Sequence, residues 1–434
     1  MKIVIVGGGA GGLELATKLG RKLGRKGGAE ILLLDRNHTH IWKPLLHEVA
    51  SGSLDSSINA VNYRAQAYRN GFTFRLGTLC GIDRARKVIL LAALRDEQGK
   101  TILPQREESY DFLVLAIGSV ANDFSVPGVT EHCIFLDSPN QATRFHKRLV
   151  NHFIYLNRQL SQGDGSLHIA IVGGGATGVE LAAELFKARE WFATYGLHHI
   201  KPQHLQVSLL EAGPRLLPAL SEGISTAVYE ELTRLGVQVH LATAVVKADK
   251  NGLLYGDGQQ MAADLMVWTA GIKAPDFLRD FGGLTTNPIN QLVVKPSLQT
   301  KDDPAIFALG DCAGLLIKES EGKERWIPPR AQSAHQMASL LAKNLINIYR
   351  NKPLKDFVYR DHGSLISLSQ YSAFGKLMGN LTGGSLKVEG RIARLVYVSL
   401  YRMHQLAIHG WLRTVLVIVV DKINRLIRPR LKLH

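Results

Sequence analysis

Two runs of glycine, each set between an apolar strand and a helix, carry the most specific chemistry in the sequence. Gly7-x-Gly9-x-x-Gly12 follows Lys2-Ile3-Val4-Ile5-Val6, and Gly173-x-Gly175-x-x-Gly178 follows His168-Ile169-Ala170-Ile171-Val172. At this spacing the first glycine bends the chain, the second admits a pyrophosphate and the third lets the helix pack on the strand. Backbone N–H groups and the positive end of the helix dipole then face the phosphates. Each run is followed by an acid at the end of the next strand. Asp35 stands twenty-three residues after Gly12; Glu211 stands thirty-three after Gly178, because a polar insertion around Ala188 to Gln203 delays the strand Gln206 to Leu210. A carboxylate there takes both hydroxyls of an adenosine ribose and repels a 2'-phosphate, so the second site favours NADH over NADPH, with Arg215 nearby as the counter-argument. A single-cofactor dehydrogenase needs one such unit. Two in one chain point to electrons passing between two bound nucleotides.

Around these units stand further turns that let backbone pass close to a ligand. Tyr110 to Leu115 runs into Gly118, Leu265 to Ala270 runs into Gly271, and Ala305 to Leu309 delivers Gly310, Asp311 and, behind them, Ala313. Asp311 can accept hydrogen bonds from sugar or ribityl hydroxyls, so the first fingerprint and this late strand together read as a split FAD domain. Lys43, before Pro44, is either a reach toward cofactor phosphate or ribityl oxygens or an exposed lysine before a turn. A β-rich meander is expected over 72–115 and a turn-rich link at Asn122 to Gly128. The expected architecture is α/β, with two Rossmann-like dinucleotide-binding domains as in flavin disulfide reductases: residues 1–120 and 275–345 for FAD, 121–274 for NADH. Residues 346–434 form a C-terminal amphipathic-helical membrane-association region.

Glu180, two residues past Gly178, is either a first-turn glutamate favoured by the helix dipole or a carboxylate facing nicotinamide and flavin, orienting the ring or handling protons. Pro328-Pro329-Arg330 opens a helix on which Gln332 and Gln336 share a face at i, i+4. Two amides there suit the carbonyls of a neutral quinone, the alternative being the polar side of an amphipathic helix.

A chain of 434 residues with 46% apolar content forms two or three globular domains. Cys80, Cys133 and Cys312 are too scattered for a disulfide scaffold or a metal cluster, which favours a reduced cytoplasmic setting with no metal. In flavin disulfide reductases a redox-active cysteine pair follows Asp35; none does here, so electrons must leave the flavin by another route. Met1 leads straight into a strand, leaving no room for a signal peptide. No apolar run approaches a bilayer span. The formal charge is +15, and the stretch from Glu389 to the end holds nine Lys/Arg against two acids. Arg391, Arg394, Arg402, Gln405, His409 and Arg413 recur near a helical period, with Ile392, Leu395, Val396, Leu400, Met403, Leu406, Trp411 and Leu412 on the remaining face. A basic amphipathic helix of this kind lies on an anionic bilayer surface, the alternative being a core-facing or dimer-interface helix. No recognition motif accompanies the charge, which argues against nucleic acid.

On these residues the chain resembles the bacterial type II, non-proton-pumping NADH:quinone oxidoreductases. The resemblance runs from Ile3-Val4-Ile5-Val6-Gly7-Gly8-Gly9 through Trp42-Lys43-Pro44-Leu45-Leu46-His47-Glu48 and Ala331-Gln332 to Arg428-Pro429-Arg430-Leu431-Lys432-Leu433-His434. It implies non-covalent FAD, NADH as donor and a membrane quinone, ubiquinone or menaquinone, as acceptor. It also implies peripheral attachment to the cytoplasmic face of the bacterial inner membrane. In that family the glutamate matching Glu180 lies by the flavin, the glutamines matching Gln332 and Gln336 line the quinone site, and homodimers through the C-terminal region are common. The rival readings are a sulfide:quinone or ferredoxin reductase and a nucleotide-sensing membrane interaction protein. The first needs paired reactive cysteines, the second has no use for the tail, and rapid NADH turnover with a quinone would count against the third.

Overall fold

The computed structural model describes residues 1–54, 60–188, 196–318, 324–361, 363–368, 372–378, 385–389 and 401–427. Lys2–Val6 lies at the centre of a five-stranded parallel sheet, between Phe112–Leu115 and Glu30–Asp35, with Ile306–Ala308 and Thr73–Leu76 at the edges. Ile3, Val4 and Ile5 are wholly buried, as strands covered on both faces require. Helix α1 (Ala10–Lys22) is capped by Gly9 without a side-chain hydrogen bond, so its first-turn N–H groups are not consumed by a cap. Helix α2 (Leu46–Ser51) follows the second strand, and α3 (Pro139–Leu160) opens the next unit.

The second sheet repeats the plan in parallel, in the order Ile134–Phe135, Leu265–Trp268, Leu167–Val172, Leu205–Leu210, Gln238–His240, with α4 (Ala176–Ala188) leaving its central strand. The chain enters and leaves this unit through one ribbon, Val120–Ala121 against Ile272–Lys273. Trp268 Nε1 donates to the Asn122 carbonyl 2.8 Å away and ties the ribbon to the sheet. Helix α2 crosses the seam. It follows the first sheet's second strand, yet Leu46, Val49 and Ala50 are buried in the core of the second unit against α3 and α4.

After Ile306–Ala308 comes α5 (Ala331–Tyr349), packed along α1. A strap over 350–361 leads to an antiparallel sheet of Gly363–Leu368, Ser372–Met378 and Ser385–Glu389, which lies beside α4. Two tail helices close the described chain: α6 over 401–409 and α7 (Trp411–Ile427). Among the described residues no helix is long and apolar enough to cross a membrane.

The tail differs from the single amphipathic helix expected. Arg391, Ile392, Arg394, Leu395, Val396 and Leu400 lie outside the described residues. Gly410, with φ of 79°, ends α6 and starts α7 on a new axis. In α6 the polar side faces inward: His404 and Gln405 are buried beside Ile408, while Met403 and Leu406 are exposed. The reason is a carboxylate in the core. Glu14 of α1 is wholly buried; its Oε1 accepts from His404 Nδ1 at 2.8 Å and its Oε2 from His335 Nδ1 at 2.7 Å, with Lys18 Nζ at 3.6 Å. A carboxylate only accepts, so both imidazoles present Nδ1–H to it. His404 Nε2 is then the acceptor for His40 Nε2–H, 3.0 Å away.

Burial raises the Glu14 carboxyl, but the bonds from His335 and His404 bring it down to about 2 from 4.5. Burial, with His404 beside it, pushes His40 from 6.5 down to about 3. Between those values the unfolded chain protonates His40 and the folded chain does not, so stability falls as pH drops from 6.5 toward 3. The Glu14 contribution, complete above 4.5, is lost between 4.5 and 2. Calorimetric Tm should therefore fall on acidification below about pH 6.5, and His40→Asn should flatten the slope. A Tm independent of pH across that range would contradict a buried neutral imidazole.

Candidate active site

Each fingerprint turn is closed on one side and open on the other. A β-carbon on Gly7, which has φ of 104°, would lie 2.3 Å from the Ala116 carbonyl oxygen, and one on Gly12 would lie 1.9 Å from the Gly7 oxygen. Around Gly9 nothing stands within 4 Å of the same position, leaving room on the ligand side. The second turn repeats this: a β-carbon would lie 2.6 Å from Ala270 N at Gly173 and 2.1 Å from Gly173 O at Gly178, while Gly175 is open.

The two acids are held alike. Asp35 Oδ2 accepts from Gly8 N–H at 2.6 Å and Oδ1 from Asn37 N–H at 2.7 Å; Glu211 Oε2 accepts from Gly174 N–H at 2.6 Å and Oε1 from Gly213 N–H at 2.7 Å. Burial pushes the Asp35 carboxyl up, and the bonds from Gly8 and Asn37 pull it back. An open glycine, a first helical turn and an oriented strand-end carboxylate are the parts a dinucleotide needs, and both cradles have them.

The other residues expected beside the flavin converge. Lys43 Nζ donates to the Ser119 carbonyl at 2.9 Å and lies 3.3 Å from Ser119 Oγ, which donates to Asp311 Oδ2 at 2.8 Å. Gly118 and Gly310 flank this chain, both with φ of 73°, and Ala313 begins a buried strand paired with Leu292–Val293. Lys43 is thus engaged with protein, 3.7 Å from Asp137 as well, and it positions Ser119 and Asp311. On the other cradle Gly271 ends the strand Leu265–Trp268 under the Phe124 ring, which would stand 2.5 Å from a β-carbon there.

Glu180 is buried in α4 with Oε2 3.4 Å from Nδ1 of His47, across the seam on α2. Burial lowers the His47 imidazole, and Glu184, also buried one turn further along α4, pulls it back up. An acid–imidazole pair therefore sits where the two nucleotide units meet. Gln332 Nε2 donates to Asp361 Oδ1 at 3.2 Å; Gln336 Nε2 donates to the Arg360 carbonyl at 2.7 Å and its Oε1 accepts from Arg360 N–H at 3.0 Å. The glutamines share a face, as expected, and that face grips the strap. His47, Ser119, Glu14 and His404 were not singled out in the sequence; only their folded neighbours reveal them.

A family model for pyridine nucleotide-disulphide oxidoreductases matches residues 1–338. The type II NADH:quinone oxidoreductase of Haemophilus influenzae is 49% identical, covering 100% of this chain and 99% of that protein. The chain belongs to the type II NADH:quinone oxidoreductases. The enzyme of that name in Staphylococcus aureus is 27% identical over 88% of this chain and 91% of its own length. In fold the chain matches NDH2 from Plasmodium falciparum in complex with NADH, with a TM-score of 0.81, 21% identity and 99% of both chains covered. It also matches the sulfide:quinone oxidoreductase of Aquifex aeolicus, with a TM-score of 0.72, 17% identity and coverage of 94% and 92%. A type II NADH:quinone oxidoreductase is an FAD enzyme that takes NADH, and the two cradles have room for both.

If FAD takes the first cradle and NADH the second, as the sequence leads one to expect, the cradles should give separable phenotypes. Gly12→Ala forces a β-carbon into a carbonyl, an overpacking cost of about 1–3 kcal/mol at the first turn, and should yield protein depleted in flavin. Gly178→Ala should retain flavin and raise KM for NADH by about tenfold or more. Visible absorbance per protein and NADH kinetics check the pair; flavin loss from Gly178→Ala alone would reverse the assignment.

Proposed function

We propose that the chain oxidises NADH and reduces a membrane quinone, with FAD in the first cradle and NADH in the second. The observation that carries this reading is the repeated cradle, each copy with its own strand-end carboxylate. FAD, when bound, accepts a hydride from NADH and yields two electrons to the quinone. The balance is NADH, one proton and quinone giving NAD+ and quinol, so the protein must position two rings and supply a proton. Gly9 and Gly12 present N–H groups to the FAD pyrophosphate beside the bend at Gly7, whose own N–H is held by the Leu34 carbonyl; Asp35 takes the ribose, and Asp311, set by Ser119 and Lys43, takes ribityl hydroxyls. Glu211 takes the NADH ribose and disfavours a 2'-phosphate there. Glu180, steadied by His47, orients the nicotinamide and handles the proton. Gln332 and Gln336 hold the quinone carbonyls at the start of α5, where Asp361 and Arg360 preset their amides.

The exposed apolar face of the tail supports attachment to a bilayer. Met403, Leu406, Trp411, Leu412, Val415, Leu416, Val419, Val420 and Ile423 are all exposed large side chains on α6 and α7. Arg402 and Arg413 stand beside them, and together they fit an anionic, cytoplasmic inner-membrane surface on which the enzyme lies without crossing. The deciding experiment compares quinone and ferricyanide as acceptors for NADH oxidation. Gln332→Ala should lower quinone turnover by about tenfold, the worth of one or two hydrogen bonds, and leave ferricyanide reduction intact. Equal loss with both acceptors would move Gln332 off the quinone side.

A further inference from the structure

We propose that Glu14 is a positioning residue for quinone reduction, the shared anchor through which the docked tail sets the quinone-facing turn of α5. The inference rests on the reading that Gln332 and Gln336 face the quinone. Glu14 lies on α1, two residues beyond the last glycine of the first fingerprint. Its two oxygens serve two separate elements, Oε2 holding His335 of α5 and Oε1 holding His404 of α6. His335 stands between Gln332 and Gln336 on the same helical turn, so what fixes His335 fixes the height and rotation of that turn. Close packing keeps the bond short, because Gly11 lets α5 approach α1: a β-carbon there would be 3.2 Å from the Ala334 carbonyl oxygen.

The tail side is equally determined. His404 packs its ring 4.2 Å from that of Trp42 and accepts from His40. Arg21 Nη2 donates to the Ile408 carbonyl at 2.8 Å, and Gln66 meets His409 at 2.9 Å. Trp42 directly precedes Lys43, so α6 also leans on the segment that sets Ser119 and Asp311. The charged or titratable groups facing Glu14 are Lys18 on its own helix, His335 on α5, His404 on α6 and, behind it, His40. Lys18 in turn donates to Ser339 Oγ at 2.7 Å, a second tie between α1 and α5. An unpaired carboxylate at this depth is costly, so both imidazoles stay bound while the tail is docked. When α6 leaves, one oxygen loses its partner and the set of α5 relaxes.

Glu14→Gln keeps the shape but offers one accepting oxygen and one NH2 group that only donates, so it can hold one of the two Nδ1–H donors. The test uses full-length, FAD-loaded enzyme with a short-chain quinone and, separately, ferricyanide. Glu14→Gln and His404→Asn should each raise KM for quinone by about tenfold, with ferricyanide reduction and KM for NADH within about twofold of the parent. The double variant should be no worse than the more affected single one, because both remove the same bond. Parallel loss with both acceptors, an unchanged quinone KM, or effects that multiply in the double variant would overturn the proposal. Should Glu14→Gln fail to retain FAD, His404→Asn carries the reading alone, since it leaves Glu14 and its bond to His335 in place. Gln332→Ala separates the two claims: quinone turnover lost there with His404→Asn unaffected overturns the anchor and leaves the acceptor site standing. Neither variant affecting quinone overturns both.

Discussion

A helix can start directly on the end of a buried parallel strand only if nothing projects between them. At Gly12 and Gly178 that condition leaves no room for even a methyl group, since each would-be β-carbon falls about 2 Å from a carbonyl oxygen. The rest of the site follows from this contact. With the helix seated on the strand, its first-turn N–H groups point out of the sheet at one place, and the neighbouring strand ends beside them with its acid already hydrogen-bonded. The same solution appears twice, so the chemistry reduces to how two such ends are brought together.

They are brought together by elements that cross the seam. A single ribbon carries the chain in and out of the second unit, and α2 buries its apolar side in the second unit's core. The crossing puts His47 against Glu180, and the strap around Arg360 and Asp361 ties the start of α5 to the sheet beside α4. The two cradles and the start of α5 thus share supports. His404 of α6 turns onto Glu14 of α1, while large apolar side chains of α6 and α7 are left exposed.

Both cradles were legible in the sequence because their signals are local: a glycine period, an apolar strand before it and an acid at a strand end. The late delivery of Gly310 and Asp311 was legible for the same reason. What was not legible depends on distance along the chain. Glu14 and His404 are 390 residues apart, and no pattern around either one announces the other. Helical periodicity located a polar and an apolar side of the tail, but which side faces the protein was decided by a buried carboxylate that accepts from imidazoles. The break at Gly410 was hidden because a glycine within an amphipathic repeat reads as a tolerated interruption. Likewise the pairing of Gln332 and Gln336 was visible, while their grip on the strap needed the strap's position. The contact of Lys43 with Ser119, a neighbour 76 residues away, was also out of reach of local pattern.

The central claim is that the two cradles serve one electron path ending at a quinone. Anaerobic stopped-flow mixing tests it most directly: FAD-loaded enzyme is first mixed with one equivalent of NADH and then with a short-chain quinone, while the flavin's visible band is followed. The account predicts bleaching on NADH and recovery of the band on quinone, both at least as fast as steady-state turnover. Bleaching that quinone fails to reverse, or reverses more slowly than turnover, would contradict it.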